Sequence, residues 1–285
     1  MILKLLLSQK LTKMKIKKFL FLHNQKFLMK ITRLIFVLLI FQTSIGQTPS
    51  HILKNYTLIW SDDFNGSVID SLKWSYRATE SKRQFGIVKK ENTYLDGNGK
   101  LIIEVSKTES IYQIGQIGTQ DKFLTRYGYF ECRAKMNQVL GPHVAFWLQS
   151  PFIHKENNNP QKFGTEIDIF EYHTNGGSNY VYHNLHWNGY GKYHKSVGEK
   201  IQIDNIDRGF HTFGLEWTKK EYIFYVDGKE TWRTTEALSH IPEYLILSAE
   251  LSGWGGNFKK SKFPDSVVFD YVKVYKKAPL NNKNY

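Results

Sequence analysis

The strongest constraint on the fold is a long series of short β-prone runs between residues 56 and 277, most of them with period-two alternation. Such alternation turns one face of a strand toward a core and the other toward solvent. The run Tyr222–Val226 meets Asp227-Gly228 and continues through residues 229–233, a pattern typical of a hairpin with a type I′ turn. Because no helical period in this stretch exceeds two turns, the sequence predicts an all-β sandwich or barrel.

Composition excludes several other classes of protein. Hydrophobic residues make up 41% of the chain and aromatic residues 15%, which is too many for a disordered chain. The single cysteine, Cys132, excludes an internal disulfide framework and a cysteine-based zinc finger. Since Cys132 lies in an alternating run, we expect it to pack as a small apolar residue.

The formal net charge of +13 is concentrated near the N-terminus. Residues 1–46 contain nine Lys and Arg and no Asp or Glu, whereas the remainder has 30 basic and 26 acidic residues, a net +4. A charge this small gives no reason to expect a nucleic-acid partner.

Residues 29–46 have the three parts of a signal peptide. A basic start precedes an apolar core of eight residues, and small residues stand three and one positions before Gln47. The apolar core is much shorter than the roughly 20 residues of a spanning helix, so we expect no stable membrane span. Cleavage between Gly46 and Gln47 would give a secreted or periplasmic protein. The predicted organisation is a mis-assigned extension at residues 1–28, the signal peptide at 29–46, a linker at 47–55, the folded domain at 56–277 and a C-terminal tail at 278–285.

The most informative segment for function is GTEIDIFEY at residues 164–172. On a regular strand Glu166 and Asp168 share one face, whereas strict alternation would turn Glu171 toward the core. Because burying a lone carboxylate is costly, either the strand ends at Phe170 or a β-bulge there returns Glu171 to the acidic face. Two such acids can flank a glycosidic bond as nucleophile and general acid, and neighbouring negative charge is expected to raise the pKa of the acid. The alternative is a solvent-facing edge strand whose acids prevent aggregation.

The sequence EIDIFE at residues 166–171 resembles the E-x-D-x-x-E signature of glycoside hydrolase family 16. Its five-residue spacing between the outer acids is similar to that of the bulged, laminarinase-like branch of the family. Further motifs follow the family's usual order: LIWSDDFNG near Trp60, YGYFECRAKM near Tyr127, AFWL near Trp147, HTFGLEWT near His211, YIFYVDGK near Tyr222 and FDYVKVY near Phe269.

This resemblance implies a β-jelly roll of two curved antiparallel sheets, similar to concanavalin A, with a polysaccharide cleft on the concave face. By motif position it implies that Glu166 is the nucleophile, that Glu171 is the general acid/base, and that Asp168 hydrogen-bonds the nucleophile between them. The implied reaction is retaining endo-hydrolysis of β-1,3-glucan or mixed-linkage β-1,3/1,4-glucan through a glycosyl-enzyme intermediate. We expect a monomer that needs no cofactor for catalysis.

Four aromatic or histidine side chains are candidates for substrate binding, with core packing as the alternative for each. The resemblance places Trp147 in the sugar-binding wall. His186 and Trp187 follow the acidic strand and are predicted to run beside it, and Trp254 lies among glycines that let a ligand approach closely.

The resemblance also implies a structural calcium ion on the convex side. Asp270 stands at the usual ligand position, and Asp63 stands where the family more often has Glu. Backbone oxygens would complete the coordination. The spacing of the histidines matches no zinc pattern.

Two other functions stay open. One is a β-galactanase of the agarase or carrageenase type, because GPHVAFWL at residues 141–148 departs from the Trp-Pro pair of many laminarinases and the loop at 150–163 matches no linkage. The other is a non-catalytic, lectin-like carbohydrate-binding protein on the same fold.

Overall fold

The computed structural model describes residues 48–279. The predicted extension at 1–28 and the signal peptide at 29–46 lie outside the described residues, as does most of the predicted tail, residues 280–285. Within residues 48–279, no helix has the length and apolar character that crossing a membrane requires.

The described chain consists almost entirely of strands and loops. The strands are β1 (Tyr56–Asp62), β2 (Ser75–Tyr76), β3 (Lys82–Arg83), β4 (Gly86–Val88), β5 (Thr93–Leu95), β6 (Leu101–Thr108), β7 (Ile111–Gly118), β8 (Gly128–Lys135), β9 (Pro142–Gln149), β10 (Glu166–Tyr172), β11 (Tyr180–Trp187), β12 (Lys195–Gln202), β13 (His211–Trp217), β14 (Tyr222–Val226), β15 (Lys229–Thr234), β16 (Tyr244–Leu251) and β17 (Asp265–Lys277). The helices are α1 (Ser50–Asn55) and α2 (Pro160–Phe163), with 3-10 turns at Lys90–Asn92 and Phe258–Lys260.

The longer strands form two antiparallel sheets. The first has the order β5-β6-β17-β8-β13-β14-β15, and β1 pairs with the C-terminal half of β17 on the same side as β6. The second has the order β2-β7-β16-β9-β10-β11-β12. The β6–β7 hairpin joins them, since the end of β6 pairs with the start of β7. This arrangement confirms the predicted all-β sandwich.

The core lies between the two sheets and is rich in aromatic and branched side chains. Phe170 of β10 packs against Phe213 of β13, with ring centroids 4.1 Å apart. Cys132 is fully buried in the same core, as the sequence predicts. Each sheet thus presents one apolar face inward, which leaves the outer face of β10 for polar side chains.

The predicted hairpin between β14 and β15 is confirmed. Tyr225 and Val226 pair with Glu230 and Lys229 across the turn. Asp227 and Gly228 have φ angles of 50° and 73°, the left-handed pair that a type I′ turn requires.

Residues 47–55 are predicted to be a linker, but most of them belong to the folded domain. Residues 50–55 form α1, and its Ile52 is fully buried against Tyr129 and two side chains of β14. A single apolar side chain four residues before the first alternating run gives too short a pattern to predict docking.

The same segment contacts two buried carboxylates of the first sheet. Glu131 accepts hydrogen bonds from the hydroxyls of Thr48, Tyr129 and Tyr271. Glu216 accepts hydrogen bonds from the hydroxyls of Tyr56 and Tyr225. His51 Nε2 also lies 3.0 Å from Glu216. The N-terminal segment therefore contributes polar as well as apolar contacts to the sandwich.

Candidate active site

Strand β10 contains the β-bulge that the sequence suggests. Against β9 the pairing skips Ile169, and both Ile169 and Phe170 are fully buried. Two consecutive core-facing residues return Glu171 to the face that Glu166 and Asp168 share. The edge-strand alternative is wrong, because β10 lies between β9 and β11.

These three carboxylates line a cleft of about 340 Å³ on the outer face of the second sheet. Its walls come from β9, β10, β16 and the loops beside them. The lining residues are Arg77, Arg83, His143, Ala145, Trp147, Gln149, His154, Glu166, Asp168, Glu171, Tyr190, Ser248 and Glu250.

Glu166 is held at one oxygen by two donors from different elements. Gln149 Nε2 donates to Glu166 Oε2 at 3.1 Å, and the hydroxyl of Tyr190 donates to the same oxygen. Tyr244 fixes the amide of Gln149 in turn by donating to its Oε1 at 2.5 Å. Burial raises the pKa of Glu166, although the charge of His186 and the Tyr190 hydrogen bond oppose that shift.

Asp168 lies between the two glutamates and faces His186 across the β10–β11 ladder. His186 Nε2 is 3.4 Å from Asp168 Oδ2. Burial and the charge of Glu171 raise the pKa of Asp168 well above its usual range. Burial lowers the pKa of His186. Asp168 and the other two carboxylates outweigh burial and raise this pKa to about 9. Each shift favours the protonated form of its group, and because the two side chains face each other they titrate as a pair.

Glu171 differs from the other two acids in the direction of its pKa. His143 Nε2 lies 2.8 Å from Glu171 Oε1, and Asn184 donates to Oε2. Burial raises the pKa of Glu171, but the charge of His143 and these two contacts outweigh burial and lower it. The sequence predicts a raised pKa for the acid, from neighbouring negative charge. The structure has the opposite direction in the resting site, because the partner of Glu171 is a cation.

Two glutamates on one face of a strand, with an aspartate between them, suit the cleavage of glycosidic bonds. The family model of the glycosyl hydrolases family 16 matches residues 80–273, which include the whole acidic strand. The chain belongs to glycoside hydrolase family 16.

Individual members and relatives show the same likeness. The chain is 28% identical to glucan endo-1,3-β-glucosidase A1 of Niallia circulans, over 82% of this chain and 40% of that protein. It is 29% identical to a keratan-sulfate endo-1,4-β-galactosidase of Sphingobacterium multivorum, over 81% of this chain and 58% of that protein. The crystal structure of a laminarinase from Flavobacterium sp. UMI-01 matches with a TM-score of 0.66 and 27% identity, over 77% of this chain and 100% of that chain. The chain thus spans about half the length of these two curated relatives.

Within this family 16 site, the predicted aromatic residues take different places. Trp147 lines the cleft, and its Nε1 donates to Ser248 Oγ at 3.1 Å. Trp254 is 39% exposed and packs beside the cleft, with its ring 4.8 Å from that of His143.

Trp187 does not line the cleft, so the prediction for it is wrong. Its neighbour His186 faces Asp168, and period two turns Trp187 to the opposite face of β11. There it packs against the core and donates to Asn158 Oδ1 at 3.2 Å. Two consecutive residues of a regular strand cannot both face one cleft.

Four polar residues that contact the carboxylates were not predicted from the sequence, three of them on strands and one in a loop. His143 and Gln149 lie on β9 at even spacings from Trp147, and Asn184 lies two residues before His186 on β11. Strand parity from the predicted cleft residues would have found all three. Tyr190 lies in the loop after β11, where no periodicity applies.

The predicted calcium ligands do not fit a metal ion in this fold. Asp270 Oδ1 lies 2.9 Å from Lys100 Nζ, and Asp270 Oδ2 lies 2.5 Å from Arg133 Nη1. Asp63 is half-exposed, with Lys273 Nζ 4.0 Å away. Two side-chain cations already occupy the carboxylate oxygens that calcium would need.

One other group of side chains has donors close enough for a metal. Glu166, Asp168 and His186 each offer one atom, and these atoms lie within 4.8 Å of one another. The carboxylates beside His186 raise its pKa to about 9, so a metal ion bound there would have to displace a proton from the imidazole.

Proposed function

We propose that this chain is a retaining endo-β-glucanase that cleaves β-1,3-glucan or mixed-linkage β-1,3/1,4-glucan. The observation that carries the proposal is the bulge at Ile169, which places Glu171 on the same face as Glu166 and Asp168 in a cleft of the second sheet. A lectin-like function needs no such trio, whereas a double displacement needs two of its members.

In the first step, a carboxylate oxygen of Glu166 attacks the anomeric carbon and the bond to the leaving sugar breaks. Gln149 and Tyr190 hold the other oxygen of this carboxylate, so its attacking oxygen is oriented without cost at the moment of reaction. Glu171 donates a proton to the leaving oxygen. In the second step, water attacks the same carbon, its proton passes to Glu171, and Glu166 is released. Two inversions give net retention.

Asp168 is the electrostatic partner of both glutamates. Its raised pKa favours its protonated form when its neighbours are ionised, and a proton there reduces the repulsion among the three carboxylates. His186 supplies positive charge against the same group.

The relatives support a glucan as substrate more than a galactan. A galactanase is the second candidate function. The relative from Niallia circulans is a glucan endo-1,3-β-glucosidase and the crystal structure is that of a laminarinase, but the relative from Sphingobacterium multivorum acts on keratan sulfate.

Arg77 favours a galactanase that acts on anionic chains, which is the second candidate. Its guanidinium lies 5.5 Å from the ring centroid of Trp147 in the cleft wall. Its buried Nε has no hydrogen-bond partner within residues 48–279. Its Nη2 donates to Gln149 Oε1 at 3.4 Å, and a guanidinium in a cleft wall suits a sulfate or carboxylate on a sugar ring.

A substrate panel tests both candidates. Reducing ends and product sizes are measured on laminarin, barley glucan, lichenan, agarose, carrageenan and keratan sulfate, and the anomeric configuration of the first product is followed by NMR. We expect retained products from the glucans. Activity confined to the galactans would overturn the glucanase assignment in favour of the second candidate.

The matching variants are Glu166→Gln and Glu171→Gln. We expect each to lower kcat by about 10²-fold or more while the melting temperature shows that the fold is intact. Full activity of Glu166→Gln would remove the nucleophile from the proposal. Binding of a glycan by the wild-type protein without any product would favour the lectin-like alternative.

We also propose that the protein is exported after cleavage before Gln47 and acts as a monomer. N-terminal sequencing of protein recovered outside the cytoplasm and its mass in solution by light scattering test these two points.

A further inference from the structure

His143 lies on the wall of the cleft, beside the acidic strand. It belongs to β9 and shares the cleft face with Ala145, Trp147 and Gln149. Its Nε2 is 2.8 Å from Glu171 Oε1, an ion-pair distance at which the direction of the N–H does not complete a hydrogen bond, and both side chains are mostly buried.

The charged groups around His143 leave Glu171 as its acidic partner. Glu250 of β16 pairs directly with His143 in the β9–β16 ladder. Its carboxylate forms an ion pair with Arg83, whose Nη2 lies 2.6 Å from Glu250 Oε1. Asp168 is farther along β10 and faces His186. Glu171 is thus the carboxylate that an imidazolium at position 143 neutralises.

The remaining neighbours of His143 are aromatic and uncharged. The edge of Trp254 packs on its ring at 4.8 Å, and His173 lies 6.4 Å away. Burial and the charge of His143 lower the pKa of His173 to about 4, so His173 is neutral near neutral pH. The ring of Trp254 lies closest to the imidazole of His143, and His173 is a more distant member of the same cluster.

We propose that His143 is a positioning residue that stores the proton which Glu171 delivers to the leaving sugar. The inference rests on the proposed role of Glu171 as the acid/base. In the first step Glu171 gives its proton to the leaving oxygen while the bond to the anomeric carbon breaks, and the imidazolium of His143 has supplied that proton to the carboxylate. In the second step the proton of the attacking water returns to Glu171 and from it to His143, so the pair gains and loses one proton per turnover.

The directions of the two pKa values agree with this division. Burial lowers the pKa of His143, but Glu171, Glu250 and Asp168 raise it above 6.5. Burial raises the pKa of Glu171, yet His143 and Asn184 lower it. Both directions favour the proton on the imidazole rather than on the carboxylate, and an acid must hold a proton to deliver it.

The test compares His143→Gln with His173→Gln, which changes the same aromatic cluster without removing the charge. Two substrates are used: laminarin, whose leaving sugar needs a proton, and 2,4-dinitrophenyl β-laminaribioside, whose leaving group does not. We expect His143→Gln to lose about tenfold or more in kcat on laminarin and less than twofold on the aryl glycoside. The basic limb of the kcat/KM profile of His143→Gln should move about one pH unit lower. In this variant the imidazole can no longer hold the proton, so the limb reports loss of the proton from Glu171 itself. His173→Gln should change neither the limb nor the ratio between substrates.

A substrate-free measurement accompanies the kinetics. Imidazole titration by NMR should give His143 a pKa above 6.5 in the wild-type protein and a lower one in Glu171→Gln. A wild-type His143 pKa at or below 6.5, or equal losses on both substrates with an unmoved basic limb, would overturn the inference. Failure of the proposed function looks different: Glu171→Gln would then retain full activity on laminarin, whatever His143→Gln does.

Discussion

Glu243 is a buried carboxyl group outside the cleft whose protonation should control stability. It lies just before β16 and is fully buried. Its Oε1 accepts the N–H of Thr165 at 3.0 Å, at the start of β10, while its Oε2 has no hydrogen-bond partner within the described chain. Burial raises the pKa of Glu243 to about 8, with the charge of Glu166 adding to that shift.

The sign of the effect follows from the two pKa values. The unfolded chain releases this proton near pH 4.5, whereas the folded protein keeps it to about pH 8. Between these values the folded state binds more protons, so the free energy of unfolding falls as pH rises. Each pH unit inside the window changes the folding equilibrium about tenfold, up to about 5 kcal/mol over the whole window.

Glu243→Gln keeps the shape and the acceptor for Thr165 but cannot ionise. Urea unfolding of both proteins at pH 5, 6.5 and 8 gives the difference in unfolding free energy, variant minus wild type. We expect this difference to grow by several kcal/mol from pH 5 to pH 8, whatever its value at pH 5. Glu109→Gln, at an exposed position, controls for the exchange itself. Parallel stability curves for Glu243→Gln and the wild type would refute the reasoning.

Three further predictions concern the bulge, the core and the convex ion pairs. Deletion of Ile169 should remove the bulge and restore strict alternation, which still turns Glu171 to the face of Glu166 and Asp168, so hydrolysis should stay within about tenfold of wild type with the β-type circular dichroism retained; complete loss of activity in a folded deletion variant would contradict this account of the strand's parity. Phe170→Ala should lower the unfolding free energy by about 3–5 kcal/mol in urea, because Phe170 is fully buried against Phe213; a loss below 1 kcal/mol would disagree. EDTA should leave the melting temperature unchanged, because Lys100 and Arg133 already neutralise Asp270, and a fall of several degrees would show a bound divalent ion.

The features that the sequence predicts well depend on local patterns. The β14–β15 hairpin follows from Asp227-Gly228 between two alternating runs. The bulge follows from the parity of Glu171, because a carboxylate on the core face is too costly to bury alone. In both cases a few consecutive residues contain the whole physical reason.

The features that it misses depend on partners distant along the chain. Asp270 has the residue type of a calcium ligand, but the cations that neutralise it, Lys100 and Arg133, come from other strands or their ends. The lowered pKa of Glu171 has the same origin, since His143 lies 28 positions earlier on β9. Trp187 is a different case, because local alternation alone places it on the face of β11 opposite to His186.

The docked segment before β1 has a practical consequence for recombinant protein. A shortened version that begins at Tyr56 would match the first alternating run, yet it would remove Ile52 and leave an apolar depression beside Tyr129 open to water. Glu131 would lose the hydroxyl of Thr48, and Glu216 would lose the imidazole of His51. Poor solubility of such a shortened protein would therefore reflect exposed apolar surface on the first sheet. The catalytic cleft lies on the second sheet.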